Sequence, residues 1–223
     1  MKVLILGECS GTVRDAFIAK GHDAISCDLK ATRVPGPHLQ MDFYDALRSV
    51  KYDMIIAHPT CTALCVSGNS TYAKGKPKHY KRLNAAAYTH MLWNDIRLSA
   101  EYCCLENPVG VLPRLAGMGK PTQYIQPYMF GHCESKKTGL WLSGLPMLMA
   151  TKIVEPEYQL DPDGSVYKDN SGKRYSKTHY NPRYANQTAS GQNKLGPSAD
   201  RAEIRSKTYQ GIAEAMAEQW GKL

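Results

Sequence analysis

No Cys-x-x-Cys pair occurs in this chain, and its cysteines are odd in number: Cys9, Cys27, Cys61, Cys65, Cys103, Cys104 and Cys133. Neither a disulfide framework nor a zinc knuckle is therefore expected, and no metal site is assigned. The opening stretch, MKVLILGECSG, is too short in apolar residues for a signal peptide or a membrane span. Free thiols without a leader fit a reducing compartment, so a cytoplasmic location and no membrane partner are expected. Internal repeats and low-complexity tracts are missing, which argues against a solenoid. The Gly-x-Gly-x-x-Gly fingerprint of dinucleotide-binding turns is also missing.

What remains is an ordinary globular composition. The 223 residues are 43% hydrophobic and 22% charged, enough for one core or one core with a small appendage. Basic residues outnumber acidic ones, giving a net charge of +8 and a pI near 9.1. That balance favours a polyanionic partner such as nucleic acid.

Along the chain, strand and helix patterns alternate. Lys2–Gly7 is a buried apolar run, Gly7–Gly11 a tight turn, and Thr12–Lys20 has helical spacing that Gly21 ends. Asp23–Leu29 is a second strand ending on Asp28. A strand–glycine turn–helix–strand–acid order suits a nucleotide-binding βαβ unit, and equally a plain βαβ turn. Leu39–Phe43 is a third strand with Asp42 at its tip, followed by a short helix over Tyr44–Val50. Asp53–His58 is the strand on which the chain is organised, because a continuous apolar run marks burial on both faces. This alternation predicts an α/β fold with a doubly wound, mostly parallel sheet and helices on both faces.

Pro59 ends the organising strand and leaves Cys61 just beyond its carboxyl end, where open α/β sheets place ligands. A thiol there is a candidate nucleophile; the bland alternative is a small buried hydrophobe. Ser67–Arg82 is a loop rich in cations, with Lys74, Lys76, Lys78, Lys81 and Arg82, suited to a phosphate backbone or simply to solvent. Leu83–Glu101 reads as a long helix and Tyr102–Leu105 as a strand delivering Glu106-Asn107-Pro108. Cys61 and Glu106 thus fall on neighbouring strand ends. Thr122–Pro127 and Thr138–Leu142 are two further strands flanking Phe130–Lys137. In residues 151–200 tyrosines alternate with cations, Lys173 and Arg174 among them, which suits a nucleic-acid surface or an irregular insertion. An amphipathic helix over Arg201–Trp220 closes the chain. Residues 1–150 are expected to form the main domain, 151–200 a basic insertion, and 201–223 a helix packing back on that domain.

In this order the Pro-x-Cys after one buried strand and the Glu-Asn-Pro after the next resemble the DNA (cytosine-5) methyltransferases. The whole chain is also similar to a group of small phage and prophage proteins described as DNA methyltransferase-like. The resemblance implies a Rossmann-like fold that binds S-adenosylmethionine and acts on DNA. It places Cys61 as catalytic cysteine, Glu106 as the glutamate at the base and Lys136 where the family has an arginine motif. The turn Gly7, Glu8, Cys9 and Gly11 would hold the methionine part of the cofactor, with His58 and Pro59 alongside. Asp28 would hold the ribose and Asp42 the adenine amino group. Residues 151–200 would serve as a minimal target-recognition region. The family's second proline is Thr60 here, and Thr62 follows the cysteine. Two other readings stay open: an amino-methyltransferase using His58-Pro59, and a binding protein of the same fold without turnover. RNA or a free nucleotide is an open alternative to DNA, and the oligomeric state is not indicated.

Overall fold

The computed structural model describes residues 1–158, 161, 163–166, 168–175, 182–187, 193, 195, 206 and 208–223. Seven strands form one sheet: β1 (Lys2–Leu6), β2 (Asp23–Asp28), β3 (His38–Gln40), β4 (Met54–Ala57), β5 (Tyr102–Pro108), β6 (Gln123–Ile125) and β7 (Thr138–Ser143). Their order is β3-β2-β1-β4-β5-β7-β6. The first five are parallel, β7 runs antiparallel to β5, and β6 runs antiparallel to β7. The helices are α1 (Thr12–Ala19), α2 (Phe43–Ser49), α3 (Asn69–Tyr72), α4 (His79–Ser99), α5 (Leu112–Leu115) and α6 (Gln210–Trp220). This is the Rossmann-like α/β arrangement that the sequence predicts.

Strand side chains point alternately to the two faces, and here both faces are covered. Val3, Ile5, Met54, Ile56 and Cys104 enter a core with Phe17 of α1 and Met216 and Trp220 of α6. Leu4, Leu6, Ile55, Ala57, Cys103 and Leu105 enter a second core with Leu92, Trp93 and Ile96 of α4 and Ala46 of α2. Double coverage is why the central strands read as unbroken apolar runs.

Several boundaries differ from those the sequence predicts. The third strand lies one residue earlier and stops at Gln40, because Asp42 caps α2 by accepting a hydrogen bond from Tyr44 N at 2.9 Å. Helix α4 starts at His79, so the end of the expected basic loop is its first turn. Strand β5 continues through Glu106 and Asn107, because β7 offers an antiparallel partner in which Glu106 lies opposite Leu140. The closing helix is seen over Gln210–Trp220, and residues 201–205 and 207 lie outside the described residues. Trp220 is fully buried and its Nε1 donates to Pro146 O at 3.0 Å.

The described part of residues 151–200 docks beside the loop before β7. Lys152 pairs with Phe130 and Arg183 with Glu157. Tyr184 stacks on Tyr128 with centroids 4.4 Å apart. Asn186 exchanges hydrogen bonds with Ser135, at 3.0 and 2.9 Å. Among the described residues no helix is long and apolar enough to cross a membrane.

Candidate functional site

The site forms at the carboxyl ends of β1, β4 and β5. His58 N still donates to Leu6 O at 2.8 Å, and the ladder then gives way at Pro59. The Cys61 carbonyl accepts from Leu64 N at 2.9 Å and Cys65 N at 3.0 Å. That single helical turn brings the Cys65 thiol into hydrogen-bond contact with the Cys61 thiol. The contact, followed by burial, pushes the Cys61 thiol well above its ordinary range; Lys136 pulls it the other way. At rest Cys61 is therefore a thiol. Cys65→Ala should remove the largest of these effects. The rate of Cys61 alkylation by iodoacetamide should rise about tenfold for each unit by which the pKa falls. Peptide mass spectrometry would follow it, and an unchanged rate would show that Cys65 does not restrain the thiol.

Two features hold this turn from outside. Gly110 approaches so closely that a Cβ there would lie 2.0 Å from Leu64 O, and Val111 N donates to that same oxygen at 2.9 Å. Arg82, from α4, is only 4% exposed. It donates to Ala63 O at 2.6 Å, Cys65 O at 3.3 Å and Asn69 Oδ1 at 2.8 Å. The sequence places Arg82 on the nucleic-acid surface; in the structure its guanidinium is engaged in fixing the Cys61 turn.

Ala57 of β4 pairs with Leu105 of β5, so the next residues along, His58 and Glu106, stand side by side. His58 Nδ1 lies 2.6 Å from Glu106 Oε2, with the two side chains 10% and 13% exposed. Burial pushes the Glu106 carboxyl up. The His58 hydrogen bond and charge, the Lys136 charge and the Thr138 hydroxyl outweigh it, and the carboxyl settles below its usual value. His58 Nε2 is buried and has no hydrogen-bond partner among the described residues. Asn107, the next residue on β5, donates from Nδ2 to Pro59 O at 3.3 Å.

Lys136 reaches the site on the loop before β7. Its backbone N donates to Gln126 Oε1 at 2.9 Å, and its ammonium lies 5.8 Å from the Tyr209 ring centroid. The same loop is tied to the start of α6. Tyr209 Oη donates to Glu134 Oε2 at 2.6 Å, and Gly211 N donates to His132 Nε2 at 3.0 Å. Lys136 thus acts electrostatically on both Cys61 and Glu106, which links three of the candidate residues.

The glycine turn lies beside them. Gly7 has φ of 76°, and a Cβ there would meet His58 O at 2.3 Å, so only glycine lets the two loops pass. Glu8 is buried and accepts from Val13 N at 2.7 Å and Arg14 N at 3.1 Å. Expected at the cofactor, its carboxylate instead caps the N-terminus of α1, where the helix dipole favours negative charge. Cys9 O accepts from Arg33 N at 2.8 Å, which joins the turn to the loop after β2. Asp28 accepts from Lys30 N through Oδ1 at 3.0 Å. Asp28 and Asp42 each use one carboxylate oxygen locally, and the second makes no hydrogen bond among the described residues. Asp28 at the end of β2 and Asp42 at the cap of α2 are the acids that could hold the ribose hydroxyls and the amino group of a nucleoside-bearing cofactor.

Beyond the Cys61 turn runs a groove of about 670 Å³ with Lys74, His79, Arg82 and Arg114 in its lining and Gly110 in its wall. Among the described residues no carboxylate lines it. Lys76, Lys78 and Lys81 are exposed outside it. Farther along the chain, Lys173 lies over Tyr175 at 5.7 Å and Arg174 over Tyr158 at 5.0 Å.

The sequence reading did not assign the pairing of His58 with Glu106, the hold of Cys65 on Cys61, the supports at Tyr209 and His132, or Arg114 in the groove. The His58 pairing had a signal: two adjacent parallel strands in register put residues 58 and 106 side by side.

No protein-family model and no curated protein matches the chain. One solved structure, from E. coli and proposed to be a DNA modification methyltransferase encoded within a prophage, is similar at 12% identity with a TM-score of 0.44. The match covers 69% of this chain and 52% of that one, so the chain spans about half of that protein's length.

Proposed function

We propose that the protein is an S-adenosylmethionine-dependent methyltransferase that acts on carbon 5 of cytosine in DNA through a covalent adduct with Cys61. The observation that supports it best is the placement of a thiol and an ionised carboxylate on adjacent parallel strand ends, with one lysine charge acting on both.

Carbon 5 of cytosine is a weak nucleophile. When bound, the cofactor supplies an electrophilic methyl group. Cys61 gives its proton to solvent water, and its thiolate adds to C6, giving the ring enamine character at C5. Lys136 favours the thiolate and offsets the negative charge that spreads over the ring. Glu106, with His58 bonded to it, would protonate or hydrogen-bond N3 of the ring and so stabilise the developing charge. After methyl transfer, solvent water takes the C5 proton, the pair of that C–H bond restores the C5–C6 double bond, and the carbon–sulfur bond breaks to return Cys61 as thiolate. The base must leave a duplex to reach such a site, so single strands should react with less cost.

The groove beside the Cys61 turn suits the phosphates flanking the target. Replacing Lys74 and Arg114 together by glutamate should weaken DNA binding whatever the sequence. It should also lower the slope of log affinity against log salt by roughly 1.5. An unchanged slope would remove the groove from the DNA path.

The reading itself is tested by incubating the protein with labelled S-adenosylmethionine and unmodified single- and double-stranded DNA, then identifying the methylated nucleoside by mass spectrometry. Formation of 5-methylcytosine is expected. A methylated exocyclic nitrogen instead would mean an amino-methyltransferase, which needs no thiol. Cofactor binding without any product would mean another substrate or a binding protein.

A further inference from the structure

Tyr209 meets two oppositely charged side chains of one loop, and the proposed chemistry uses only one of them. Its ring packs on the core that α6 helps to close. Its hydroxyl donates to Glu134 Oε2 at 2.6 Å, and the Lys136 ammonium stands 5.8 Å from its ring centroid, within the range of a cation–π attraction. Burial, then the bond to Glu134, pushes the phenol well above its ordinary range, so the hydroxyl keeps its proton and stays a donor. Glu106, Lys136, Thr138 and Tyr209 also line one cavity of about 10 Å³, no larger than a water molecule. Tyr209 is therefore a neighbour of the site and not a remote support.

The backbones around it are fixed from both sides. Lys136 N donates to Gln126 Oε1 at 2.9 Å, and Thr138 Oγ1 donates to Lys136 O at 3.1 Å. Gly211 N donates to His132 Nε2 at 3.0 Å, and the His132 ring stands edge-on to Tyr209 with centroids 5.1 Å apart. A Cβ at Gly211 would lie 2.0 Å from Phe130 O, so the first turn of α6 lies flush on the loop. What these contacts leave to the Tyr209 hydroxyl is the choice of partner for Glu134. Lys137, one cation of the loop, lies over Tyr124 at 4.5 Å. Lys136, two residues from Glu134, meets the same tyrosine that Glu134 does. A carboxylate released there would close on Lys136 and neutralise the charge that acts on Cys61 and Glu106.

We propose that Tyr209 is a positioning residue for Lys136: its hydroxyl holds Glu134 off the lysine while its ring seats the ammonium, so the charge stays directed at Cys61 and Glu106. The assignment deepens the cytosine reading above and rests on it for its purpose. It makes α6, which bears none of the reacting groups, the element that sets the charge at the site.

The test is a double-mutant cycle on the reactivity of Cys61. Wild type, Tyr209→Phe, Glu134→Gln and the double variant are treated with iodoacetamide at one alkaline pH. Peptide mass spectrometry follows Cys61, with the half-buried Cys9 as internal standard. Phenylalanine keeps the ring and its packing and removes only the donor. Tyr209→Phe should slow Cys61 alkylation by about fivefold, as expected when one nearby cation is neutralised. Made on top of Glu134→Gln, the same substitution should change the rate by less than about 1.5-fold, because an amide carries no charge to pair with Lys136. Equal slowing in both backgrounds would make Tyr209 a packing residue only, and no slowing in either would show that Lys136 does not depend on it. Both results overturn the assignment. The readout uses neither cofactor nor DNA. The expected cycle in a protein that forms no 5-methylcytosine would uphold the positioning and remove the cytosine reading. Formation of 5-methylcytosine by a protein whose Tyr209→Phe effect ignores Glu134 would do the reverse.

Discussion

Cys61→Ala should reduce methyl transfer to DNA by at least about four orders of magnitude, the scale of loss when a covalent nucleophile is deleted. The reasoning rests on the ring. Without addition at C6 there is no enamine, and among the described residues the thiol in contact with Cys61 is that of Cys65. That thiol is buried, bonded toward Ser67 Oγ at 3.0 Å and one helical turn away. DNA affinity should change little, because the groove cations sit on α4, α5 and the loop before α4 rather than on the cysteine. A rapid-quench assay with labelled cofactor would read the rate, and a filter or fluorescence titration the affinity. Transfer within tenfold of wild type would show that the thiol is structural. Loss of both rate and affinity would show that the turn had unfolded.

Arg14→Ala should be the most damaging single substitution for the folded state among those that spare the reacting groups. Arg14 is fully buried at the start of α1. Its guanidinium donates to Asp15 Oδ1 at 2.7 Å, Ser26 Oγ at 3.3 Å, Thr32 Oγ1 at 3.2 Å and Pro35 O at 3.1 Å. It fills the space beside Gly11 and Gly36, where a Cβ would lie 2.5 Å from its atoms. Removing it strands several acceptors and empties a cavity, at a cost of about 3–5 kcal/mol. For a chain of this size that lowers the melting temperature by roughly 10 °C. The loop it organises follows Asp28, so cofactor affinity should fall as well. Calorimetry and a cofactor titration on the surviving folded fraction would measure both. A loss below about 1 kcal/mol would mean that the loop holds without it.

The sheet was legible because its physics is local. Unbroken runs such as Met54–Ala57 say that both faces are covered, and glycines and prolines mark where each strand stops. Cys61 and Glu106 were legible for the same reason: each follows a run that is plainly a strand. What was not legible depends on partners far along the chain. Strand β5 outlasts its apolar run because β7 pairs with it from the opposite direction. Arg82 and Lys74 both belong to a basic stretch and both line the groove, yet Arg82 is buried and tied to the Cys61 turn while Lys74 is exposed. Only the packing of α4 decides which is which. Arg14 reads as an ordinary helix cation and becomes a buried clamp because a loop 20 residues onward wraps it. Glu8 reads as a ligand contact and caps the helix that follows.

The ties from Tyr209 and Gly211 to Glu134 and His132 bear on how the protein comes into being. The ribosome delivers β1, the glycine turn and β2 well before α6, so this part of the sheet can pair early. The loop that presents Lys136 is held early by Gln126 but lacks its ties at Glu134 and His132 until residues 209–211 have emerged. A nascent chain can therefore pair its first strands before the last ties that fix the Lys136 loop are made.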